Sequence, residues 1–485
     1  MPRRHVHVTA PADDPLRAAL RALRTELGIP VGFPPAVLAE AEEAARTPPH
    51  APDDREDATD LPFLTIDPPT SRDLDQAMHL TRRAGGGYRV HYAIADVAAF
   101  VTPGGAVDAE AHRRATTLYL PDGKVPLHPA VLSEGAASLL PGSTVPALLW
   151  RIDLDADGRT VATDVRRALV RSRARLDYAG AQAEIDAGTA EEPLALLPYV
   201  GRLREALEIE RGGISLNVPE QEIAETGDGT YTLHYRAPLP VDGWNAQISL
   251  LTGMAAADLM VAAGTGILRT LPPAPDGAVA RLRRSAKALG IDWPHHVSYA
   301  ALIRSLDPRH TRHAAFLQDA TTLLRGSDYT PFTGGHIPSP AVHAAVADEY
   351  THCTAPLRRL VDRYAGELCL AAVAGTEPPE WVLGALDGLP DDMARGTRLA
   401  NTAERECVDI VEEALLSGRI GETFDSVVID VKENEPDVGT VHLEDPAVIG
   451  RVLADGAALP LGERLLVRLT QADPARRAKV RFAPA

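Results

Sequence analysis

Cysteine is scarce: Cys353, Cys369 and Cys407 are the only three in 485 residues, and they stand far apart. That spacing excludes a disulfide framework and a structural zinc site, and it fits a reducing compartment, the cytoplasm. Long apolar runs are missing as well. No window approaches about 18 continuous apolar residues, so no membrane span is expected. Arg3 and Arg4 are followed by no apolar h-region, so no secretory signal is read. Basic residues are outnumbered, 49 Lys and Arg against 67 Asp and Glu, for a net charge of −18. A chain this acidic is a poor nonspecific coat for nucleic acid. It remains compatible with an enzyme that is acidic outside and locally basic along a channel. Apolar content of 45% and charged content of 24% describe an ordinary globular protein with room for two or three domains.

What the chain does have is a dense knot of carboxylates. The stretch Thr65-Ile66-Asp67-Pro68-Pro69-Thr70-Ser71-Arg72-Asp73-Leu74-Asp75-Gln76 sets three aspartates within nine residues. Residues 61–66 are apolar enough for a buried strand, and Pro68-Pro69 cannot continue a ladder, so the chain leaves the sheet at Asp67. In an extended loop Asp73 and Asp75 point to the same side, because side chains alternate with period two. Carboxylates held so close repel unless a cation neutralises them, and hard oxygen ligands suit Mg²⁺ or Mn²⁺. A solvated Asp-rich turn is the plainer reading of the same residues.

Around this stretch lie a helical head, a large mixed region and a strand-rich tail. Residues 14–27 and 34–46 carry helical apolar spacing, and 47–59 look like a linker. Strands are predicted at 77–82 and 88–96, flanking Gly85-Gly86-Gly87, with a short helix at 108–116. Asp153-Leu154-Asp155-Ala156-Asp157-Gly158 nearly spells a calcium loop. Its flanks, 147–154 and 160–165, alternate like strands, which makes Asp157-Gly158 a hairpin turn instead. Arg167, Arg171, Arg173 and Arg175 would share one face of a strand, as a phosphate-tracking stripe or a solvated face. Residues 244–264 form an almost uninterrupted apolar helix, read as the core helix. Pro356 fits the first turn of a helix, which would put Arg358 in the opening turn, where the dipole favours an anion. Five runs at 424–431, 438–443, 448–452, 464–469 and 478–482 suit an OB barrel. Phe424 and Phe482 are its only aromatics, so its capacity for stacking is small.

Three segments, far apart and in order, resemble signatures of the RNase II family, whose catalytic unit is the RNB domain. The first is Thr65-Ile66-Asp67 with the loop Arg72-Asp73-Leu74-Asp75-Gln76-Ala77. The family's wording is R-D-x-D-D-A, so Gln76 stands where a fourth aspartate is usual. The second, Leu118-Tyr119-Leu120-Pro121, is similar to a Y-L-P motif whose tyrosine stacks on the base at an RNA 3′ end. The third, Tyr350-Thr351-His352-Cys353-Thr354-Ala355-Pro356-Leu357-Arg358-Arg359-Leu360, is similar to Y-x-H-F-T-S-P-I-R-R-Y. Shorter likenesses fall at 88–97, at Gly334-Gly335-His336-Ile337 and at Ala403-Glu404-Arg405-Glu406. At the start of the apolar helix Ala246 and Gln247 replace the acids of V-E-E-x-M, a second departure.

The resemblance implies an α+β fold with an RNB catalytic domain at 57–418. A small helical, helix-turn-helix-like head at 1–56 would precede it, too short for the paired cold-shock barrels usual there, and an OB-fold RNA-binding barrel at 419–485 would complete the chain. It implies a 3′-to-5′ exoribonuclease using Mg²⁺, or Mn²⁺, and releasing nucleoside 5′-monophosphates. The partner would be single-stranded RNA, with no membrane, for a monomer in the cytoplasm. By the same resemblance Asp67, Asp73, Asp75 and Gln76 would hold metal. Asp75, Arg358 and Glu404 would be catalytic; Tyr119, Arg358, Arg359 and His336 would contact RNA. A surface Glu–Arg pair at Glu404 and a satisfied structural histidine at His336 stay open. With Gln76 and Gln247 in place of acids, so does an RNB-fold protein that binds RNA without cutting it.

Overall fold

The structure is a computed structural model that describes residues 6–9, 15–50, 55–216, 220–225, 231–236, 238–324, 326–432, 434–443, 446, 448–473 and 478–485. Strands buried in continuous runs, because both faces are covered, build a central sheet from β1 (Phe63–Ile66), β2 (Gln76–Arg82) and β3 (Tyr88–Ala95). A small hairpin of β4 (Leu118–Leu120) and β5 (Gly123–Val125) stands apart, and β6 (Thr144–Leu154) and β7 (Thr160–Leu176) complete the sheet. The sheet runs Glu56–Asp57, β7, β1, β2, β3, β6, and β6 also pairs with β7. With 17 residues β7 is long enough to pair β6 at one end and β1 at the other, so the sheet curls back on itself. It takes in the predicted strand 160–165 and the whole arginine run. The near-calcium loop is the turn between β6 and β7, with Gly158 at φ +81°.

Among the helices that frame the sheet and the site are α1 (Pro15–Glu26), α2 (Pro35–Arg46), α3 (Ala106–Arg114), α4 (Glu192–Arg211), α5 (Pro240–Ala263), α6 (Leu360–Ala374) and α7 (Leu389–Leu416). One sheet face buries Met78, Leu80, Tyr92 and Trp150 with α4, α5 and α6. The other face, lined by Phe63, Ala77, Ala93 and Ala147, packs on α2, Phe100, Leu132 and Leu139. α5 starts at Pro240, where Asp242 accepts the Leu239 N–H at 2.9 Å. Among the described residues it alone has the length and apolar composition of a membrane-crossing helix, and here Ile248, Leu251, Ala255, Ala256 and Met260 bury it in the core.

The head departs from expectation. α1 shares a buried cluster with α7 and the β4–β5 hairpin, while α2 belongs to the sheet cluster. Each of the two helices buries its apolar stripe against a different part of the large domain, and among the described residues they share no core of their own. Val6–Thr9 pairs in parallel with Glu220–Glu225. Part of the predicted linker is structural too: Arg55 reaches the buried Asp96 at 2.7 Å and Glu56–Asp57 pairs with β7, while 51–54 lie outside the described residues.

At the C-terminus β8 (Thr423–Lys432), β9 (Glu435–Leu443), β10 (Ile449–Leu453), β11 (Arg464–Asp473) and β12 (Ala478–Pro484) close into a barrel in the order β8-β9-β10-β12-β11. Phe424 and Phe482 fill its interior. The three cysteines are buried.

Candidate active site

The acidic loop is stitched down along its length. The Asp67 N–H donates to the Leu176 carbonyl at 3.0 Å, and the Ala95 N–H to the Asp75 carbonyl at 2.9 Å. Between them the buried Ser138 hydroxyl donates to the Arg72 carbonyl at 2.6 Å and accepts the Leu74 N–H at 2.9 Å. Arg175, exposed on β7, donates to the Ser71 carbonyl at 3.0 Å. Leu74 is drawn into the core, and its neighbours Asp73 and Asp75 are left to the site.

The arginine motif meets this loop from 282 residues away: the Leu357 N–H donates to Asp75 Oδ1 at 2.8 Å, and Arg358 Nε lies 3.4 Å from Asp75 Oδ2. Here the expectation of a helix opening at Pro356 is corrected. α6 begins at Leu360, and Arg358 sits in a turn before it, with the N–H groups of Arg358 and Arg359 both on the Ala355 carbonyl. Two sets of bonds hold the turn out of the helix. Asp362 accepts the Ala355 N–H at 2.6 Å and grips Arg359 through both oxygens, at 2.9 and 2.8 Å. Thr116 Oγ1 and the Thr117 N–H both donate to the Arg358 carbonyl at 3.0 Å. The Arg358 side chain is left 44% exposed, aimed outward over Asp75.

Burial pushes the Asp75 carboxyl up to about 8, against the pull of Arg358 and the Leu357 N–H. Burial likewise pushes Asp67 up to about 6, with Arg358 opposing and Asp73 adding to the rise. Tyr119 is 38% exposed on β4 and lies within the field of Arg358, Asp73 and Asp75. Asp73 has its own cation: Lys124 Nζ is 2.7 Å from Asp73 Oδ1 and 2.9 Å from Glu134 Oε1.

The remaining expected residues have partners of their own. Gln76 spends its amide nitrogen on the Thr354 carbonyl at 2.5 Å, tying β2 to the arginine motif. The Arg359 guanidinium is committed to Asp362, which makes it a brace for the turn. His336 is exposed in the loop after Phe332, its Nδ1 on the Thr333 carbonyl at 3.3 Å. Glu404 is part-buried on α7, the helix that packs on the hairpin with Ala400, Ala403, Leu118 and Leu120 in one cluster. Gln247 donates to the Glu208 carboxylate at 2.5 Å.

The oxygens present fit a hard divalent cation. Asp75 is buried and Asp67 half-buried, desolvation pushes both carboxyls up against the pull of Arg358, and a divalent cation would offset that cost. Among the described residues no three His, Cys, Asp or Glu side chains form a cage for an ion. A hard cation that keeps several waters needs only one or two carboxylates beside substrate phosphate.

Sequence reasoning missed Lys124, Glu134, Ser138 and Asp362. Lys124 had a signal: Pro121-Asp122 between two apolar runs marks a two-residue hairpin, which sets Lys124 opposite Tyr119. The other three show no local signature, because each acts on a backbone or side chain distant in sequence.

Residues 55–374 match the family model of the RNB domain, and residues 422–485 that of the RNase II-type exonuclease C-terminal S1 domain. The chain is 27% identical over 437 residues to Ribonuclease R of Aquifex aeolicus (strain VF5), covering 85% of this chain and 60% of that protein. It is 27% identical over 439 residues to Ribonuclease R of Escherichia coli (strain K12), covering 84% and 53%. The chain thus spans little more than half the length of these relatives. In structure it is similar to Mycoplasma genitalium RNase R in complex with ribose-methylated single-stranded RNA, with a TM-score of 0.82 at 20% identity, covering 98% of this chain and 78% of that one.

Proposed function

The chain belongs to the RNB-domain family of RNase II-type nucleases, and on that premise we propose that it is a Mg²⁺-dependent exoribonuclease that degrades single-stranded RNA from its 3′ end to nucleoside 5′-monophosphates. The observation that carries this reading is the convergence of Asp67, Asp75 and an outward-facing Arg358 beside the exposed Tyr119. Asp67 and Asp75 would hold the ion. When bound, it polarises the phosphate and lowers the pKa of the attacking water. Asp75 also sets the Arg358 guanidinium, whose fork grips phosphate oxygens in pairs. Tyr119 offers a face for the terminal base, a contact of ~1–3 kcal/mol that is indifferent to base identity. The 2′-hydroxyl is the handle that separates RNA from DNA, so DNA is expected to bind and resist cleavage. Glu404 belongs to this reading as a catalytic carboxylate assisting around the leaving end, His336 as a contact with the RNA, and Arg359 as the brace of Arg358.

Gln76 favours one second reading. With its amide nitrogen on the Thr354 carbonyl it supplies no charge for metal, as suits a protein that holds RNA without cutting it. Incubating the protein with 5′-labelled single-stranded RNA and Mg²⁺ separates the two. A ladder of shortened products supports the exoribonuclease. A mobility shift with intact RNA overturns it in favour of the second reading.

A further inference from the structure

The hairpin that brings Tyr119 to the site brings a second side chain with it. Lys124 is the cross-strand neighbour of Tyr119, and its ammonium lies between Asp73 Oδ1 at 2.7 Å and Glu134 Oε1 at 2.9 Å. Glu134 comes from the bent helical segment Leu132–Ala136, broken at Gly135, and Ser138 just beyond it holds the peptide groups on both sides of Asp73. One short segment therefore fixes Asp73 and the cation on it together. Burial works to lower the pKa of Lys124, yet its two carboxylates hold it above its ordinary value.

The charges then set a count. Four carboxylates belong to the site: Asp67, Asp73, Asp75 and Glu134. Two protein cations are fixed on them, Lys124 on Asp73 and Glu134, and Arg358 on Asp75. Arg175 lies farther out on the Ser71 carbonyl, exposed and screened. With all four carboxylates ionised, as ligation of a metal requires, two negative charges remain, the charge of one divalent ion. An acid in place of Gln76, together with loss of the Lys124 ammonium, would leave four, the charge of two such ions.

We propose that Lys124 is a resident counter-cation: its ammonium, rather than a second metal ion, neutralises Asp73, so the site takes one divalent ion, on Asp67 and Asp75. This rests on the nuclease reading for the identity of the site, but it concerns the number of ions and not the cutting of RNA. Lys124 touches Asp73 and acts through it, as a positioning residue.

The test is a binding titration of Mn²⁺ to the full chain without RNA, with free Mn²⁺ read by electron paramagnetic resonance. One ion per wild-type chain is expected. In a Gln76→Asp background, which brings the count to four, Lys124→Met and Lys124→Gln, checked for fold by circular dichroism, should each bind two, while Lys124→Arg in that background, which keeps the cation, should bind one. Two ions or none on the wild type overturns the proposal, as does a single ion on both folded double variants, Gln76→Asp with Lys124→Met and Gln76→Asp with Lys124→Gln. If neither neutral variant folds, the wild-type count decides alone, one supporting and two overturning. RNA degradation is scored separately. A wild type that binds one ion and releases no nucleotide overturns the exoribonuclease reading and leaves the ion count standing.

Discussion

Asp75 is the residue at which two distant motifs touch, accepting the Leu357 N–H while it orients Arg358. Asp75→Asn keeps the shape and removes the charge, so RNA cleavage should fall by about 10²-fold or more while RNA binding and fold survive. A rate near wild type in a single-turnover assay would contradict the assignment. The same residue sets a pH dependence. Asp67 and Asp75 are both raised, so the folded chain binds their protons more tightly than the unfolded chain does. That stabilisation is complete below the ordinary carboxylate range and is lost as pH rises through about 6 for Asp67 and about 8 for Asp75. In chelator, the Tm contribution of these groups should therefore decline between about pH 5 and about pH 8. Asp75→Asn should flatten that decline in scanning calorimetry, and Mg²⁺ should raise Tm more at the alkaline end. An unchanged slope in the variant would refute the link. Gln76 shows where reading single residues stops. Its departure from the family's wording is visible in the sequence, but its partner is a carbonyl 278 residues away. Gln76→Asp would lose that donor and leave an acceptor facing the Thr354 carbonyl, at a cost of about 1–3 kcal/mol. Denaturant melts should show the loss. Unchanged stability, together with a lower Mg²⁺ requirement, would restore Gln76 as a ligand.

Elements explain why the head is present. α1 lies against the β4–β5 hairpin, and Arg24 reaches Asp122 at the hairpin tip at 2.6 Å, with the two side chains 25% and 9% exposed. The helix thus steadies the strand pair that carries Tyr119 and Lys124. Arg24→Ala should cost about 1 kcal/mol of that alignment, close to a fivefold rise in KM for RNA, with kcat little altered. A fall in kcat at constant KM would show that the hairpin acts on chemistry rather than on binding. The helical period of 14–27 is legible in the sequence; its docking partner is not, because an apolar stripe does not say what covers it. The start of α6 escapes the sequence for a related reason. Pro356 is a good first-turn residue, but Asp362, Thr116 and Thr117 compete for the backbone of the turn and win. The strand at 160–165 is legible from its alternation, whereas its run to Leu176 needs the curl of the sheet.

At the scale of the whole molecule, the acidic balance of the chain does not prevent a local basic patch on the barrel's outer wall. Barrel strands are legible from period two in the sequence, since alternation alone decides which side chains face the core; the order in which they close is not. That alternation turns Val452, Val467, Leu469 and Phe482 inward and leaves Arg451, Arg468 and Arg481 exposed outside. Arg451 stands directly opposite Arg481 on the parallel neighbours β10 and β12, and like charges so placed destabilise a sheet. Neither has an ion-pair partner among the described residues, in a chain of net charge −18. With both barrel aromatics buried in its interior, this wall has phosphate, not bases, to offer contacts to. Replacing Arg451 and Arg481 with Gln, in an Asp75→Asn background that leaves the RNA intact, removes two such contacts. The slope of log affinity for single-stranded RNA against log salt should then fall in magnitude by about 1.4, at ~0.7 per phosphate. Filter binding over a range of KCl concentrations measures it. Parallel lines for the two proteins would place the RNA path away from this face of the barrel.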